Sequence, residues 1–335
     1  MGHDSELLGL ATLREAAERM APHVHRTPVM SCAQLDELVG ARLFFKCENF
    51  QKTGAFKFRG ASNAVFSLSD TEAARGVATH SSGNHAQALA LAARLRGISV
   101  QVVMPRNAKA PKRAAVAGYG ARIIDCEPLL AAREETLKAV VRETGAHFVH
   151  PYDDERIIAG QGSAALELIE EVDELDLVMA PVGGGGLLAG TALATHGLLP
   201  RARVVGAEPQ GADDARCSLA AGRIMPSVAP HTIADGLLTS LGERNFPIIQ
   251  RHVDEILTAG EELIVRAMRL CWERAKLLIE PSSALPLAVL LAHPGRYAGR
   301  RIGVILSGGN VDLDHLPSAS ILDSSERGPR EKHKN

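Results

Sequence analysis

Short apolar runs alternate along the chain with longer amphipathic or alanine-rich stretches, and this alternation restricts the possible folds more than any other feature. The apolar runs predict strands at residues 41–47, 77–80, 100–104, 121–125, 147–150, 177–182, 203–208, 255–257 and 301–307. The stretches between them predict helices at residues 84–96, 111–117, 129–143, 162–172, 187–196, 261–275 and 283–292. Such alternation is typical of parallel sheets covered by helices on both faces. The sequence therefore predicts an α/β protein.

The length of the chain, 335 residues, leaves room for two domains. Residues 76–147 contain four strand–helix units of their own, which predicts a small mobile domain inserted into a larger one. Residues 1–75 and 148–323 then form the large domain. The segment 324–335 is rich in Ser, Gly, Pro and charged residues, and we expect it to be disordered.

Charge and composition limit the classes of partner. The chain carries 37 basic and 39 acidic side chains, a formal net charge of −2, which argues against a nucleic-acid or membrane-surface partner. No apolar stretch approaches the roughly 20 residues that cross a bilayer, and the first residues lack the apolar segment of a signal peptide. The five cysteines are far apart in the sequence, unlike a disulfide framework or a zinc site. We therefore expect a cytoplasmic protein.

Lys57 lies between Phe56 and Phe58 and two residues before Arg59. Apolar neighbours disfavour the charged form of an amine, and a nearby guanidinium adds repulsion, so both are expected to lower the pKa of Lys57. A lysine of lowered pKa can attack a carbonyl group and form a Schiff base. The alternative is a surface lysine whose aliphatic stem packs along a helix face.

Two polar turns follow predicted strands. Residues 81–85, Ser-Ser-Gly-Asn-His, separate a strand from an alanine-rich helix, and residues 307–310, Ser-Gly-Gly-Asn, follow the last strand. A helix N-terminus presents unpaired amides and the positive end of the helix dipole, which suits a carboxylate or a phosphate. The first turn is otherwise a simple helix cap, and the second is otherwise a plain strand exit.

Four consecutive glycines, residues 183–186, separate another strand from its helix. Glycines let backbone amides surround an anion, so the run favours phosphate binding. The spacing Gly184-x-Gly186-x-x-Ala189, with Glu208 at the end of the next strand, also matches a dinucleotide-binding fingerprint. A nicotinamide-dependent oxidoreductase is therefore a competing hypothesis.

Three carboxylates, Glu208, Asp213 and Asp214, lie within one short segment. Oxygen ligands so spaced can bind Mg²⁺, Mn²⁺ or Ca²⁺. A solvated acidic loop is the common alternative.

In this order, the motifs resemble those of the fold-type-II pyridoxal-phosphate enzymes, which are tryptophan-synthase-β-like. The resemblance extends from His25 to Asp312 and is strongest to the serine racemase, serine/threonine dehydratase and threo-3-hydroxyaspartate dehydratase family. It implies two parallel-sheet domains with helices on both faces, the large one binding pyridoxal 5′-phosphate. An oxidoreductase has no need of the Lys57 run, so that reading becomes a distant alternative.

The resemblance implies a dehydratase, an ammonia-lyase that converts serine, threonine or threo-3-hydroxyaspartate to a 2-oxo acid and ammonia by β-elimination. The alternative is a serine racemase with dehydration as a side activity. Lys57 would bind the cofactor covalently and act as a base. The other cofactor-binding positions implied are Phe56 against the ring, Asn84 at the ring hydroxyl, Ser307 at the pyridine nitrogen, and Gly183, Gly184, Gly185, Gly186 and Leu187 around the phosphate.

For the substrate, the resemblance implies that Ser81, Asn84 and His85 receive its carboxylate and that Ser82 also contacts it. Ser82 would also lie opposite Lys57, and two groups on opposite faces allow racemisation. Tyr152 stands where animal racemases have asparagine, which makes the chain more similar to the dehydratases. From its position, Arg133 is either a ligand for a second substrate carboxylate or a surface charge.

The resemblance also implies ligands outside the catalytic site and a homodimer. Mg²⁺ or Mn²⁺ would be bound by Glu208, the carbonyl of Ala212, and Asp214. ATP or another nucleotide is a possible effector between subunits, at positions Lys52, Thr53, Gln87, Tyr119, Lys276 and Asn310.

Overall fold

A computed structural model describes residues 8–108 and 110–316, in which ten strands form two sheets. The strands are β1 (Val29–Met30), β2 (Arg42–Cys47), β3 (Val77–His80), β4 (Val100–Pro105), β5 (Arg122–Cys126), β6 (His147–Phe148), β7 (Leu177–Pro181), β8 (Arg203–Pro209), β9 (Glu255–Ala259) and β10 (Arg301–Leu306). Each of the nine predicted strands is present, and β1 was not predicted. The tail predicted at 324–335 lies outside the described residues.

The helices are α1 (Leu10–Met20), α2 (Ala33–Val39), α3 (Lys57–Phe66), α4 (Asp70–Ala73), α5 (Asn84–Arg96), α6 (Ala110–Gly118), α7 (Leu130–Thr144), α8 (Glu155–Glu171), α9 (Gly186–Leu198), α10 (Asp214–Ala221), α11 (Asn245–His252), α12 (Glu261–Leu270) and α13 (Pro281–Ala292). The predicted helix 261–275 changes to a π-helical turn, Cys271–Ala275, before it ends at Lys276 with φ of 60°. None of the described helices is long and apolar enough to cross a membrane.

The larger sheet has six strands in the order β1-β2-β10-β7-β8-β9, and only the β1–β2 pair is antiparallel. The smaller sheet has the order β5-β4-β3-β6 and is parallel throughout. The α/β class with parallel sheets is therefore confirmed. The carboxyl ends of parallel strands meet at one edge, where ligand-binding turns are expected.

Helix α3, which begins at Lys57, packs against α5 and α8. Its Phe58 and Val65 belong to the apolar core under the smaller sheet, together with Leu89 of α5. On its other side α3 crosses α8 closely, since a Cβ atom at Gly160 would lie 2.6 Å from the Cα of Gly60. The division into domains at residues 76 and 147, and the mobility of the smaller one, stay predictions.

Helix α8 begins earlier than the sequence pattern indicated. Asp154 caps it, because one carboxylate oxygen accepts hydrogen bonds from the amides of Arg156 (2.8 Å) and Ile157 (3.4 Å). Its Gly160 and Gly162 resemble helix breakers in the sequence. In the fold they permit close contact with α3 and α9, which explains why the helix continues through them.

Candidate active site

The amine of Lys57 is held at the start of α3. Its Nζ atom donates a hydrogen bond of 2.7 Å to the carbonyl of Pro151 and lies 5.2 Å from the centre of the Phe56 ring. The side chain is only partly covered, but the amine lies deep in the fold, and its burial lowers the pKa of Lys57 to about 8 against the opposing effect of Glu280. The predicted direction of the shift is confirmed. Such an amine has an appreciable neutral fraction near neutral pH.

Arg59 does not contribute the repulsion predicted for it. Its guanidinium is fully buried and binds two carboxylates: Nε and Nη2 donate to Glu48 at 2.7 and 2.8 Å, and Nη1 and Nη2 donate to Glu167 at 2.7 and 2.8 Å. Glu167 also pairs with Lys46 at 2.6 Å. Because both carboxylates neutralise the guanidinium, Arg59 stabilises the base of α3, and the prediction of repulsion toward Lys57 was wrong.

The four glycines follow β7, and the last of them, Gly186, is the first residue of α9. Within the described residues, no backbone amide from Gly183 to Leu187 donates a hydrogen bond, and Gly185 has φ of 94°. A Cβ atom at Gly184 would lie 2.3 Å from the Tyr152 ring, and one at Gly186 would lie 2.9 Å from the Tyr152 carbonyl oxygen. The loop therefore requires glycine, and it presents free amides at a helix N-terminus, which suits a phosphate.

Asn84 and His85 begin α5 on the side of the lysine. The Asn84 amide donates to Glu280 at 2.9 Å, and its oxygen accepts from Asn310 at 3.0 Å. The buried His85 ring approaches the Val149 carbonyl at 3.4 Å, while its Nδ1 has no hydrogen-bond partner among the described residues. Burial, assisted by the charge of Lys57, lowers the pKa of His85 well below its usual range.

The serine-rich turns have different surroundings. Ser81 Oγ accepts from the Gly83 amide at 3.3 Å, and Ser82 is partly buried beside it. Ser307 is buried, and its carbonyl accepts from the amide of Phe56 at 2.9 Å. The structure thus joins the exit of β10 to the lysine run, as expected if both face one ligand.

Arg133 lies on α7, near the carboxyl end of the smaller sheet. Its Nε is buried without a hydrogen-bond partner among the described residues. Burial lowers the pKa of His80. The charge of Glu134 opposes this shift, and the charge of Arg133 adds a smaller effect in the same direction as burial. The Nε of Arg133 is therefore covered by the fold, while the side chain as a whole is partly exposed.

The predicted metal ligands lie where β8 leads into α10. Glu208 caps α10 by accepting the amides of Ala215 and Arg216, both at 2.9 Å, whereas neither carboxylate oxygen of Asp214 completes a hydrogen bond within the described residues. Burial raises the pKa of Glu208 to about 8 and that of Asp214 to about 6. No three His, Cys, Asp or Glu side chains in the described chain could hold a metal. A metal site there would need backbone oxygens in addition to the carboxylates of Glu208 and Asp214.

Glu280 and the contacts of the segment 150–154 were not predicted from the sequence. Glu280 is buried, and burial raises its pKa to about 7. In the sequence it only precedes Pro281, which indicates a helix start and no chemistry. The segment was noted for Tyr152 alone, and nothing in it predicted contact with Lys57.

A buried lysine amine of lowered pKa and a glycine loop with free amides on a parallel α/β fold define a class of enzymes that bind a phosphorylated aldehyde. Residues 20–308 match the family of pyridoxal-phosphate-dependent enzymes, and the chain belongs to this family. The family membership favours the phosphate interpretation of the glycine loop over the dinucleotide one. Lys57 and the free amides of the loop fit the aldehyde and the phosphate of the cofactor.

Particular relatives are similar over nearly the full chain. The β-hydroxyaspartate dehydratase of Paracoccus denitrificans is 56% identical over 302 residues, which cover 90% of this chain and 96% of that protein. The L-threo-3-hydroxyaspartate ammonia-lyase of Saccharomyces cerevisiae is 44% identical over 316 residues, covering 94% and 96%. The solved serine racemase of Dictyostelium discoideum superposes with a TM-score of 0.88 at 46% identity, covering 91% of this chain and 99% of that one. The predicted enzyme family, which includes dehydratases and racemases, is confirmed.

Proposed function

We propose that this enzyme is a dehydratase that eliminates the β-hydroxyl group of 3-hydroxyaspartate, giving a 2-oxo acid and ammonia. The observation that carries the choice of substrate is the buried Nε of Arg133, which has no partner among the described residues. A second substrate carboxylate would satisfy it in a charge-assisted hydrogen bond, and serine and threonine have no such group. The names of the two hydroxyaspartate-converting relatives support this choice.

The cofactor, Lys57 and Ser307 have different roles in the proposed elimination. Bound pyridoxal phosphate supplies an electron sink for the bond broken at the substrate Cα. Lys57, with a pKa of about 8, takes the proton from that carbon. Ser307 would face the pyridine nitrogen, and a serine hydroxyl cannot protonate it as a carboxylic acid would. A weaker electron sink favours prompt loss of the β-hydroxyl, which takes up a proton and leaves as water, over transamination. The released enamine then tautomerises and is hydrolysed to the 2-oxo acid and ammonia.

The test is a substrate panel: the four stereoisomers of 3-hydroxyaspartate, both enantiomers of serine, and threonine, each assayed for oxo acid. Replacing Arg133→Ala should reduce kcat/KM for hydroxyaspartate about 10- to 100-fold, the value of a charge-assisted hydrogen bond, and change it little for serine. Arg142→Ala, at an exposed position of the same helix, is the matched control. An equal loss for both substrates would contradict the role of Arg133.

Serine racemisation is the second candidate, supported by similarity to the solved serine racemase. We propose that Ser82 exchanges a proton with the face opposite Lys57. Ser82→Ala should then lose enantiomer exchange while it retains oxo-acid formation from one enantiomer. Parallel loss of both activities would exclude the two-face arrangement.

We also propose a divalent cation, Mg²⁺ or Mn²⁺, bound by Glu208, the Ala212 carbonyl and Asp214. The support is the buried carboxylate of Asp214: Ser227 and the Leu241 backbone lower its pKa without completing a hydrogen bond to it, so a cation would satisfy its oxygens. Glu208 is occupied as a helix cap but retains lone pairs for a metal.

We further propose a cytoplasmic homodimer that can bind a nucleotide. All five cysteines are free thiols, as is usual in a reducing compartment. The support for the dimer is a pair of exposed apolar side chains, Phe50 (49% exposed) and Leu278 (46% exposed). Their backbones are connected, because the side-chain amide of Asn49 donates to the Leu278 carbonyl at 3.2 Å. Asn310 bridges the Thr53 carbonyl (2.7 Å) to Asn84, which would couple a nucleotide to the catalytic site. Sedimentation velocity tests the homodimer, and an ATP titration of activity tests nucleotide binding.

A further inference from the structure

The hydrogen bond that holds the Lys57 amine comes from outside its own helix. Within the described residues, the acceptor for Nζ is the carbonyl of Pro151, at 2.7 Å. Pro151 belongs to the connection between β6 and α8, so its carbonyl is free of the hydrogen bonds of regular structure. The direction of this carbonyl therefore fixes where the amine lies.

His150 determines the shape of that connection. Its Nδ1 atom accepts hydrogen bonds from two backbone amides, those of Asp153 at 2.8 Å and Tyr152 at 3.3 Å. A ring nitrogen that accepts keeps its lone pair, so the proton of the neutral ring is on Nε2. Burial lowers the pKa of His150 to about 4, which keeps the ring neutral at physiological pH. The chain is thereby folded back over Pro151.

The same segment is attached to the glycine loop. The Tyr152 carbonyl accepts from the side-chain amide of Asn245 at 3.1 Å, and that amide also donates to the Gly184 carbonyl at 2.7 Å. The Asp153 carboxylate accepts the amides of Glu243 (3.1 Å) and Arg244 (2.8 Å). The lysine amine and the glycine loop are thus both located relative to one short segment.

We propose that His150 is a positioning residue for Lys57, acting through the carbonyl of Pro151. By accepting the two amides it holds the turn in the form that keeps the lysine amine at a fixed distance from the glycine loop. This inference rests on the proposed role of Lys57 as the residue that binds the cofactor. Without the imidazole, two amides lose their acceptor and the turn relaxes, so the amine is misplaced for both cofactor capture and proton transfer.

The experiment compares His150→Leu with His150→Asn, whose side-chain oxygen can accept the same amides. The apoenzyme is mixed with pyridoxal phosphate, and the rate of appearance of visible absorbance is measured together with KM and kcat. His150→Leu should slow uptake about 10-fold or more, since small misplacements of reacting groups have large effects, and should lower kcat more than it raises KM. His150→Asn should remain within about 3-fold of the parent.

His80→Leu is the matched control for packing, because its ring lies 6.3 Å from that of His150 in the same aromatic group and makes no hydrogen bond with the described residues. Equal effects of His80→Leu and His150→Leu, or an asparagine variant as slow as the leucine variant, would overturn the proposal. If His150→Leu does not fold, as judged by thermal melting, His150→Ala replaces it with the same expectations. Lys57→Ala tests the role of Lys57 separately from that of His150. If this variant still gains borohydride-sensitive absorbance with pyridoxal phosphate, Lys57 does not bind the cofactor, whatever the role of His150.

Discussion

The side-chain amide of Asn84 donates a hydrogen bond of 2.9 Å to Glu280, a buried carboxyl group whose charge is felt by the amine of Lys57. Glu280 thus contacts Asn84, which is proposed to meet the cofactor ring, and acts electrostatically on Lys57. A negative charge there favours the ammonium form of the lysine.

Replacing Glu280→Gln should therefore lower the pKa of Lys57 below its present value of about 8. The glutamine oxygen can still accept from Asn84, so the change is mainly one of charge. The measurement is the pH dependence of pyridoxal phosphate uptake by the apoenzyme, whose midpoint should move to lower pH. An unchanged midpoint would show that Glu280 is already neutral when Lys57 titrates.

The same substitution should change how stability depends on pH. Burial raises the pKa of Glu280 in the folded protein from 4.5 to about 7, so the folded state holds a proton that the unfolded state releases. Stability therefore falls as pH rises from about 4.5 to about 7 because of this group. The glutamine variant lacks this loss, and its melting temperature relative to the parent should rise across that window. A constant difference from pH 4.5 to pH 8 would contradict the shifted pKa.

Arg59→Met should destabilise the fold strongly. The substitution leaves Glu48 fully buried without its bidentate partner, and breaking a buried ion pair from one side costs about 3–5 kcal/mol. Arg269→Met is the control, because its ion pair with Glu273 is exposed and should be worth about 0–1 kcal/mol. Urea unfolding of both variants, read as the free energy of unfolding, makes the comparison. Similar losses in the two variants would refute a structural role for the buried network.

Gly184→Ala should impair cofactor binding. The added methyl group would lie 2.3 Å from the Tyr152 ring, so either the ring or the loop must move. Gly118→Ala is the control, since a Cβ atom there meets no atom within 4 Å. We expect the affinity for pyridoxal phosphate to fall at least about 10-fold in the first variant only, measured by equilibrium titration of the apoenzymes. Equal affinities would mean that the loop can shift freely.

Asp214→Asn tests the cation. Burial disfavours the charged form of the Asp214 carboxylate, and Ser227 and the Leu241 backbone offset this only in part, so without metal the amide variant should melt at the same temperature as the parent or higher. Added Mg²⁺ should raise the melting temperature of the parent and leave that of the variant unchanged. A chelator that has no effect on the parent would argue against a resident cation.

The sequence predicted the layered α/β fold well because strand and helix periodicities are local properties. It predicted a lowered pKa for Lys57, since the flanking phenylalanines indicate burial. The predicted repulsion between Arg59 and Lys57 was wrong, because the sequence does not show that Glu48 and Glu167 contact the guanidinium from other elements. The contact between Lys57 and Pro151 joins residues 94 positions apart and has no sequence signature.

The approach of Gly60 to Gly160 has a mechanical consequence. At this crossing the two backbones are in direct contact, and the adjoining side chain of Gln161 is buried, so there is no space for an added methyl group. A single methyl group at either glycine would push α3 and α8 apart and so displace the helix that begins at Lys57. We therefore expect the position of Lys57 to depend on the spacing of α3 and α8, which is set one helical turn further along α3.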